Sequence, residues 1–305
     1  MNQLLAIIGP TGSGKSKLAI RLAQQFNGEI VSADSRQVYC HMDIGTAKPS
    51  RHELSLVPHH LINIVNPDED FSLAQYQNLA GKAIDGIQRR HKLPLLVGGS
   101  GLYIWSVLEG WGIPPVPPDP ELRHSLEAKA AKVGRDELYH ELIRVAPATA
   151  QRIDPRNVRR VIRALEVHTS TDPSLSQPQR KQAPPFKTLI VGLTADRAEL
   201  YRRIDSRVDE MLAQGLVAEV EKLVSRGYDF NLPAMSGIGY KQIGMFLRGE
   251  LTLAVAVQQI KFETHRFVRH QYAWFQLKDD RIQWFDIHRQ LDSEINSLVA
   301  GLIRQ

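Results

Sequence analysis

The chain has 305 residues, of which 43% are hydrophobic and 23% are charged, and its formal net charge is +5 at pH 7. This length is enough for one large or two modest domains with a buried core. The single cysteine, Cys40, excludes a disulfide framework and a cysteine-cluster metal site. No run approaches the roughly 20 apolar residues of a membrane helix, so we expect a cytoplasmic protein without a membrane partner. We also expect a monomer.

The chain opens with an apolar strand, predicted over residues 4–8, followed by a glycine-rich turn and a helix. The turn fits the pattern G-x-x-x-x-G-K-[ST], and its position between a strand and a helix makes the match specific. Backbone N–H groups and the helix N-terminus predict an anion cradle, in which Lys15 adds positive charge and Ser16 can hold Mg²⁺. The pattern indicates a polyphosphate and not specifically ATP. Its residues are Gly9, Pro10, Thr11, Gly12, Ser13, Gly14, Lys15 and Ser16.

Two further buried strands, predicted over residues 29–32 and 93–97, end in residues that can carry chemistry. An NTPase that hydrolyses its substrate would carry a second acidic residue at the end of an apolar strand, to orient Mg²⁺ and water. The strand at 93–97 ends instead in Gly98-Gly99-Ser100, which argues against hydrolysis. Ser100 could hydrogen-bond a ligand, or it could cap the helix predicted over 103–108.

Asp34 follows the strand at 29–32 and therefore lies on the rim where open α/β sheets bind ligands. A carboxylate there suits a base that accepts a proton from an attacking nucleophile. Alternatively, Asp34 only caps the turn into Ser35 and Arg36.

The domain organisation follows from a proline-rich break, in which five of residues 114–120 are proline. Such a segment sustains neither a helix nor a central strand. The pattern beyond it is almost purely helical, up to a polar stretch at 171–185, and a strand at 189–193 then resumes the α/β pattern. We predict a P-loop NTPase-like parallel α/β core from residues 1–118 and 188–305, with an inserted helical domain at 119–187. Further helices are predicted at 195–226, 251–276 and 290–304.

Two stripes of basic residues indicate what kind of partner the protein binds. If a helix starts at Asp154-Pro155, then Arg156, Arg159, Arg160 and Arg163 share one face. Arginines in this arrangement fit a nucleic-acid backbone, although a solvated basic face is the alternative. The second stripe, on the predicted C-terminal helix, is Lys261, His265 and Arg269, and Ile260, Phe267 and Trp274 are expected to pack inward.

With these residues assembled, the sequence resembles one family, the bacterial-type tRNA dimethylallyltransferases. DSRQVY followed by MDIGTAKP is the most specific match. The matching stretches run in order along nearly the whole chain: GPTGSGKS at 9–16, DSRQVY at 34–39, MDIGTAKP at 42–49, GGSGLY at 98–103, the segment 119–123, RALEVH at 163–168, RVDEML at 207–212, GIGYKQ at 237–242 and THRFVRHQYAWF at 264–275.

The resemblance implies transfer of a dimethylallyl group from dimethylallyl diphosphate to N6 of adenine 37, in tRNAs that read codons beginning with U. It implies that Asp34 is the base, that Ser100 supplies a catalytic hydroxyl, and that the loop 9–16 and Arg207 hold the diphosphate with Mg²⁺. It also implies that the helical insertion grips the tRNA anticodon stem-loop. The residues it assigns to RNA contact are Asp34, Ser35, Arg36, Gln37, Ser100, Arg123, Arg159, Arg160, Val161, Ile162, Arg163, Gly237, Ile238, Gly239, Tyr240, Lys241, Gln242, Arg266, Arg269, His270 and Gln271.

Two positions depart from the family pattern. Ser100 stands where the family has threonine, which keeps the hydroxyl but loses the methyl group that restricts its rotamer. The family's Y-A-K-R-Q reads Phe267 to Gln271 here, which leaves one strong cation where two are common.

Two other activities remain open from the residues alone. A small-molecule or nucleoside kinase would use the same loop and the same aspartate with ATP, and an RNA-binding protein switched by nucleotide would need no base.

Overall fold

The computed structural model describes residues 2–114, 116, 118–169, 186–288 and 292–304. By its internal contacts the chain divides into two compact units, one formed by Met1–Gly110 with Ala183–Gln305 and the other by Trp111–Gln182. The insertion was predicted at 119–187. The polar stretch predicted at 171–185 lies outside the described residues.

The larger unit contains a six-stranded sheet in the order β3-β2-β4-β1-β5-β6, and every pairing in it is parallel. The three strands nearest the centre are buried along almost their whole length, as expected for a parallel sheet covered by helices on both faces. The strands are β1 (Gln3–Ile8), β2 (Gly28–Ala33), β3 (His59–His60), β4 (Leu93–Gly98), β5 (Lys187–Thr194) and β6 (Ile282–Asp286).

Helices of the larger unit connect these strands or follow them. Of this set, the helices at 51–56, 73–89 and 240–247 were not predicted, although capping boxes at the starts of the first two are sequence signals for them. The helices are α1 (Lys15–Gln25), α2 (Arg51–Leu56), α3 (Leu73–Arg89), α4 (Gly101–Leu108), α9 (Arg197–Ala213), α10 (Leu216–Ser225), α11 (Tyr240–Leu247), α12 (Leu253–Trp274) and α13 (Asp292–Ile303).

The single helix predicted over 195–226 is wrong, because the structure has two helices there. Gly215 has a φ of 99°, a left-handed conformation that ends α9 and begins α10. Asp196 caps the start of α9 by accepting a hydrogen bond from the Ala198 N–H. The short strands β3 and β6 were also not predicted.

The core of the larger unit packs helices against the sheet. Leu5 and Ile7 of β1 and Leu95 of β4 are fully buried, and they lie in one cluster with Leu22 of α1 and Val299 of α13. Helices cover these apolar faces of the sheet. Polar residues can therefore meet a ligand at the edge of the sheet where the carboxyl ends of the strands lie.

The smaller unit has its own core. Its helices are α5 (Pro120–Val133), α6 (Arg135–Val145), α7 (Pro147–Ala150) and α8 (Val158–Thr169). Leu138 and Leu142 of α6 are fully buried, and they pack with Leu126 of α5 and with Val161 and Leu165 of α8.

In the described part of the chain, no helix has the length and apolarity to cross a membrane.

A buried carboxylate near the start of β2 stabilises this fold. The side chain of Glu29 in β2 is only 4% exposed, and it forms ion pairs with His60 at 2.7 Å, Arg90 at 2.6 Å and Lys92 at 3.0 Å. Burial raises the pKa of Glu29, but the hydrogen bonds from Arg90, His60 and Lys92 outweigh it and bring the pKa to about 2.

We therefore expect Glu29→Gln to lower the free energy of unfolding by about 2 kcal/mol at neutral pH. Because the folded pKa lies below the unfolded value, the contribution of Glu29 is complete above about pH 4.5 and is lost as the pH falls towards 2. Urea midpoints at pH 7 and pH 3 test this, with Glu221→Gln, an exposed carboxylate on α10, as the control. An equal difference from wild type at both pH values would contradict it.

Candidate active site

Residues 9–16, the glycine-rich segment predicted to hold a polyphosphate and called the phosphate loop below, follow β1 and run into the first turn of α1. Gly9 has a φ of 138°, and a Cβ at this position would lie 2.3 Å from the Leu193 carbonyl oxygen. Gly12 and Gly14 both have a φ of 83°, in the left-handed region. The glycines are required because the backbone passes close to β5 and turns through conformations that other residues avoid. The first N–H groups of α1 have no partner within the helix and are available to an anion.

Two cations converge on this loop. The Lys15 ammonium donates a hydrogen bond to the Pro10 carbonyl at 2.6 Å, and the Arg207 guanidinium lies 3.5 Å from the Thr11 hydroxyl. Neither is in an ion pair among the described residues. Burial of the ammonium and the nearby Arg207 charge lower the pKa of Lys15 to about 7, while Asp34 opposes that shift. The loop therefore carries positive charge that an anion would stabilise.

One hydroxyl group of the loop is buried without a partner. Ser13 is 1% exposed, and its Oγ makes no hydrogen bond within the part of the chain that the structure describes. Ser16, in contrast, lies on the exposed side of the first turn of α1.

Asp34 and Ser100 lie on neighbouring strand ends, because β2 pairs with β4. The Asp34 carboxylate accepts hydrogen bonds from the N–H groups of Arg36 at 2.8 Å and Gln37 at 3.4 Å, through a single oxygen, Oδ1. Asp34 thus does cap the turn, as one interpretation of the sequence held, and Oδ2 remains for other partners.

Ser100 occupies the N-cap position of α4 but makes no capping hydrogen bond. Its hydroxyl instead accepts a hydrogen bond from the Ser35 N–H at 3.1 Å. Ser100 therefore joins the strand end after β4 to the residue that follows Asp34. Neither strand beside β1 ends in an acidic residue, because β4 ends at Gly98 and β5 at Thr194.

Gln271 of α12 holds the two loops together. Its Oε1 accepts a hydrogen bond from the Thr11 N–H at 2.9 Å, and its Nε2 donates one to the Gly99 carbonyl at 3.0 Å. With 4% of the residue exposed, its side chain joins the phosphate loop to the segment that carries Ser100. The RNA contact of Gln271 stays a prediction.

The segment after Asp34 is anchored through its side chains. Arg36 donates hydrogen bonds to the carbonyls of Pro233 at 2.8 Å and Ala234 at 3.3 Å, and the Gln37 amide donates to the Thr46 carbonyl at 3.3 Å. These bonds hold residues 34–37 against two other loops.

Glu219 of α10, which was not identified from the sequence, fixes the loop at 43–45. Its carboxylate accepts hydrogen bonds from the N–H groups of Asp43, Ile44 and Gly45 at 2.7 to 3.0 Å. The Tyr240 hydroxyl donates a further one at 2.6 Å. No local pattern marks Glu219, because all its partners are distant in sequence.

The segment 237–242 contains both buried and exposed positions. Tyr240 is 1% exposed, and Gln242 accepts the Gly239 N–H at 2.9 Å as the cap of α11. The side chains of Tyr240 and Gln242 therefore have structural partners, and their RNA contacts stay a prediction. Gly237 and Gly239 are buried, Ile238 is partly buried, and Lys241 is exposed.

The arginine helix of the smaller unit also differs from prediction. It begins at Val158 and not at Asp154-Pro155, since Asn157 accepts the Arg160 N–H at 3.2 Å. Arg156 precedes the helix and is paired with Asp154. Arg159 and Arg160 are exposed.

Arg123 and Arg163, in contrast, are engaged in the structure. Both bind the carboxylate of Glu166, which is 2% exposed and also accepts the Asp119 N–H at 2.6 Å. Val161 and Ile162 are 1% and 4% exposed and their side chains pack in the core of this unit. Their RNA contacts stay a prediction.

The second predicted stripe lies against α9. Lys261 pairs with Asp209 and His265 with Asp205, so these two residues bind helix to helix. Arg269 donates to the Tyr201 hydroxyl at 3.0 Å and remains exposed. Arg266 and His270 are also exposed. The predicted inward packing is confirmed for Ile260, but Phe267 and Trp274 are 40% and 37% exposed, because α12 has solvent on that side.

Comparison with known proteins identifies the family. The IPP transferase family model matches residues 37–278, and the isopentenyl transferase model matches residues 2–63. The tRNA dimethylallyltransferase of Dehalococcoides mccartyi (strain ATCC BAA-2266 / KCTC 15142 / 195) is 48% identical over 300 residues, covering 98% of this chain and 92% of that protein. The tRNA dimethylallyltransferase of Roseiflexus sp. (strain RS-1) is 53% identical over 275 residues, covering 90% of each.

Solved structures of tRNA-prenylating enzymes also match this chain. The tRNA isopentenylpyrophosphate transferase of Bacillus halodurans matches with a TM-score of 0.74 and 40% identity, over 100% of this chain and 97% of that one. A eukaryotic dimethylallyltransferase acting on tRNA matches with a TM-score of 0.78 and 27% identity, over 98% and 78%. The predicted P-loop NTPase-like α/β fold is thereby confirmed. The chain therefore belongs to the IPP transferase family and is a prenyl-transferring enzyme of the tRNA dimethylallyltransferase type.

Proposed function

We propose that the chain transfers the dimethylallyl group of dimethylallyl diphosphate to N6 of adenine 37, in tRNAs that read codons beginning with U. The observation that carries the proposal is the pairing of an anion cradle with a carboxylate. Lys15 and Arg207, without ion pairs in the described ranges, converge on the phosphate loop, and Asp34 acts electrostatically on Lys15. A cradle of this kind can stabilise the negative charge on a diphosphate leaving group.

In the proposed step, N6 attacks the allylic carbon of the donor, a new N–C bond forms, and the C–O bond to the diphosphate breaks. The diphosphate departs with the electron pair, and the N6 proton passes to Asp34. Because the lone pair of N6 is delocalised into the ring, catalysis depends mostly on stabilising the departing diphosphate. Loop N–H groups, Lys15 and Arg207 take up the charge that develops there.

Asp34 accepts the N6 proton through the oxygen that does not cap the turn. Oδ1 receives the Arg36 and Gln37 N–H groups, which orient the carboxylate and leave Oδ2 free within the described structure. The Ser100 hydroxyl accepts a hydrogen bond from the N–H of Ser35, the residue after Asp34. It can also hydrogen-bond the adenine. A base in a tRNA loop must leave its stack to reach this edge, at a cost of about a few kcal/mol that RNA contacts offset.

Mg²⁺ fits this site as a companion of the diphosphate. No cluster of three or more His, Cys, Asp or Glu side chains able to hold a metal occurs in the parts of the chain that the structure describes. Mg²⁺ often binds phosphate oxygens, waters and only one or two protein oxygens, and here the Ser16 hydroxyl would supply one. When bound, the ion would neutralise charge on the diphosphate oxygens.

The proposed RNA contacts are the exposed members of the predicted set and the backbone near Asp34. Arg159 and Arg160 present two guanidinium groups to solvent, and Arg266, Arg269 and His270 lie on α12. Lys241 adds a further exposed cation. Arginine side chains of this kind fit the phosphates of an anticodon stem-loop.

The direct test is incubation of the enzyme with tRNA and labelled dimethylallyl diphosphate, without ATP. We expect label in the RNA, and nucleoside digestion should place it on adenine 37. A tRNA with guanine at position 37 is the control. Absence of transfer, together with phosphorylation of a small substrate from ATP, would instead support a kinase.

For RNA recognition, we expect Arg160→Ala to raise the KM for tRNA with little change in kcat. Because one phosphate contact is lost, the slope of log Kd against log salt should decrease by about 1. Arg144→Ala is the matched control, since Arg144 is exposed in the same unit but paired with Glu137. A salt slope equal in the two variants would count against an RNA contact at Arg160.

A further inference from the structure

Two arginines from different helices meet at one tyrosine outside the phosphate loop. The Tyr201 hydroxyl oxygen of α9 accepts hydrogen bonds from Arg197 Nε at 2.9 Å and from an Arg269 guanidinium N–H of α12 at 3.0 Å. The Tyr201 ring is held by stacking on His265, with ring centroids 3.9 Å apart and planes inclined by 10°. His265 is in turn paired with Asp205 at 2.9 Å. The phenol is therefore a fixed point on which both guanidinium groups converge.

The charge at this point is not balanced by an acidic partner. Among the described residues, neither Arg197 nor Arg269 forms an ion pair, whereas Arg202 and Arg203, one turn further along α9, both bind Glu199. Two guanidinium groups that share one neutral oxygen repel each other, and an anion between them would relieve the repulsion.

The titration of Tyr201 agrees with this charge distribution. Burial raises the pKa of the phenol, but the hydrogen bonds from Arg197 and Arg269 outweigh it and lower the pKa below its ordinary value. The surroundings of the phenol oxygen therefore favour negative charge.

The cluster lies near the phosphate loop but is separate from it. Arg207, which approaches Thr11, is on the same helix as Tyr201, six residues or about 9 Å further along its axis. Arg269 is two residues before Gln271, which binds the Thr11 N–H. The cluster and the loop are thus contacted by different residues of the same two helices.

We propose that Arg197 and Arg269, oriented by Tyr201, form a second phosphate-binding site that takes a backbone phosphate of the bound tRNA. The proposal rests on the proposed function, because it assumes that RNA lies along this edge of the sheet. Both guanidinium groups are exposed, as contact with a large polyanion requires, and their planar donors match the two unesterified oxygens of a phosphodiester.

The test measures binding of an anticodon stem-loop RNA by fluorescence anisotropy over a range of salt concentrations. Arg197→Ala should weaken binding about 5- to 20-fold at moderate salt and reduce the salt slope by about 1. Arg202→Ala is the matched control, because Arg202 lies on the same helix, is exposed and is neutralised by Glu199. Its affinity and salt slope should equal those of the wild type.

Two further variants separate charge from geometry. Tyr201→Phe keeps both arginines and removes the oxygen that orients them, so we expect weaker RNA binding with an unchanged salt slope. Arg197→Lys keeps the charge but has no planar fork, so the slope should stay close to wild type while affinity recovers only in part. This partial recovery of RNA affinity would also show that misfolding does not cause the loss of affinity in Arg197→Ala.

The source of the phosphate is resolved by a second arm with inorganic diphosphate and dimethylallyl diphosphate as ligands. We expect their affinities to be unchanged in Arg197→Ala. A loss of diphosphate affinity with normal RNA binding would overturn the proposal, and so would an RNA affinity equal to that of Arg202→Ala. Because both arms measure binding, an enzyme that failed to prenylate tRNA would contradict the proposed function without affecting this result.

Discussion

Replacing Asp34 with asparagine is expected to lower kcat by about 10² to 10⁴, the range that a positioned general base contributes. Asparagine keeps an oxygen that can accept the Arg36 and Gln37 N–H groups, so the turn after β2 should persist while the basic carboxylate is lost. The affinity for tRNA should change by no more than about twofold, because the transferred proton contributes to the transition state and not to binding.

Single-turnover kinetics with labelled donor measure this expectation. Asp70→Asn, which alters an exposed carboxylate in a neighbouring loop, is the control and should retain wild-type kcat. Asp34→Ala is less informative, because it also removes the cap of the turn and could reduce RNA binding through residues 35–37. A kcat near wild type in Asp34→Asn would show that the adenine loses its proton to another group.

Replacing Lys15 with methionine should reduce kcat/KM by about 10² to 10³, as removal of one preorganised donor to developing charge does elsewhere. The Lys15 ammonium lies in the loop beside Pro10 and close to Arg207, where it would contact the departing diphosphate. Lys15→Arg is the matched variant, since it keeps a charge. A methionine variant with unchanged kcat/KM would exclude Lys15 from stabilisation of the leaving group.

The lowered pKa of Lys15 also predicts a pH dependence for binding of inorganic diphosphate. With a pKa of about 7, Lys15 is charged below that pH and largely neutral above it in the free enzyme. A bound anion favours the charged form and raises this pKa, so binding above pH 7 takes up a proton and weakens as the pH rises.

Isothermal titration calorimetry in buffers of different ionisation enthalpy, at pH 6 and pH 8.5, measures that uptake. Lys15→Arg is again the control, because arginine stays protonated at both values while the ionisation of the ligand is the same. The difference between wild type and Lys15→Arg isolates the lysine. Equal proton uptake in the two proteins would contradict the expected protonation of Lys15 on binding of diphosphate.

The local parts of the site could be predicted from the sequence. The phosphate loop is specified by glycines at positions of positive φ and by its place between a strand and a helix, both of which are local features. The strand ends at Asp34 and Ser100 follow from short apolar runs that stop at polar residues. The helix break at Gly215 and the strand β6 were missed, because one glycine and five residues of mixed polarity are weak signals beside a strong helical pattern.

The sequence by itself therefore determined the parallel α/β sheet, the glycine-rich loop after its first strand and the carboxylate on its rim. That the loop holds a polyphosphate and that exposed arginines contact RNA are its predictions. Only the tertiary structure decided which polar residues are free to act. Arg163 and His265 fit a basic stripe by their spacing, and the resemblance assigned Gln271 to RNA contact. In the structure each is bound to a residue outside its own helix, Gln271 to Gly99, Arg163 to the Val116 carbonyl and His265 to Asp205. Those partners are brought together by packing, and a periodic pattern in one helix carries no information about the helix or loop that will face it.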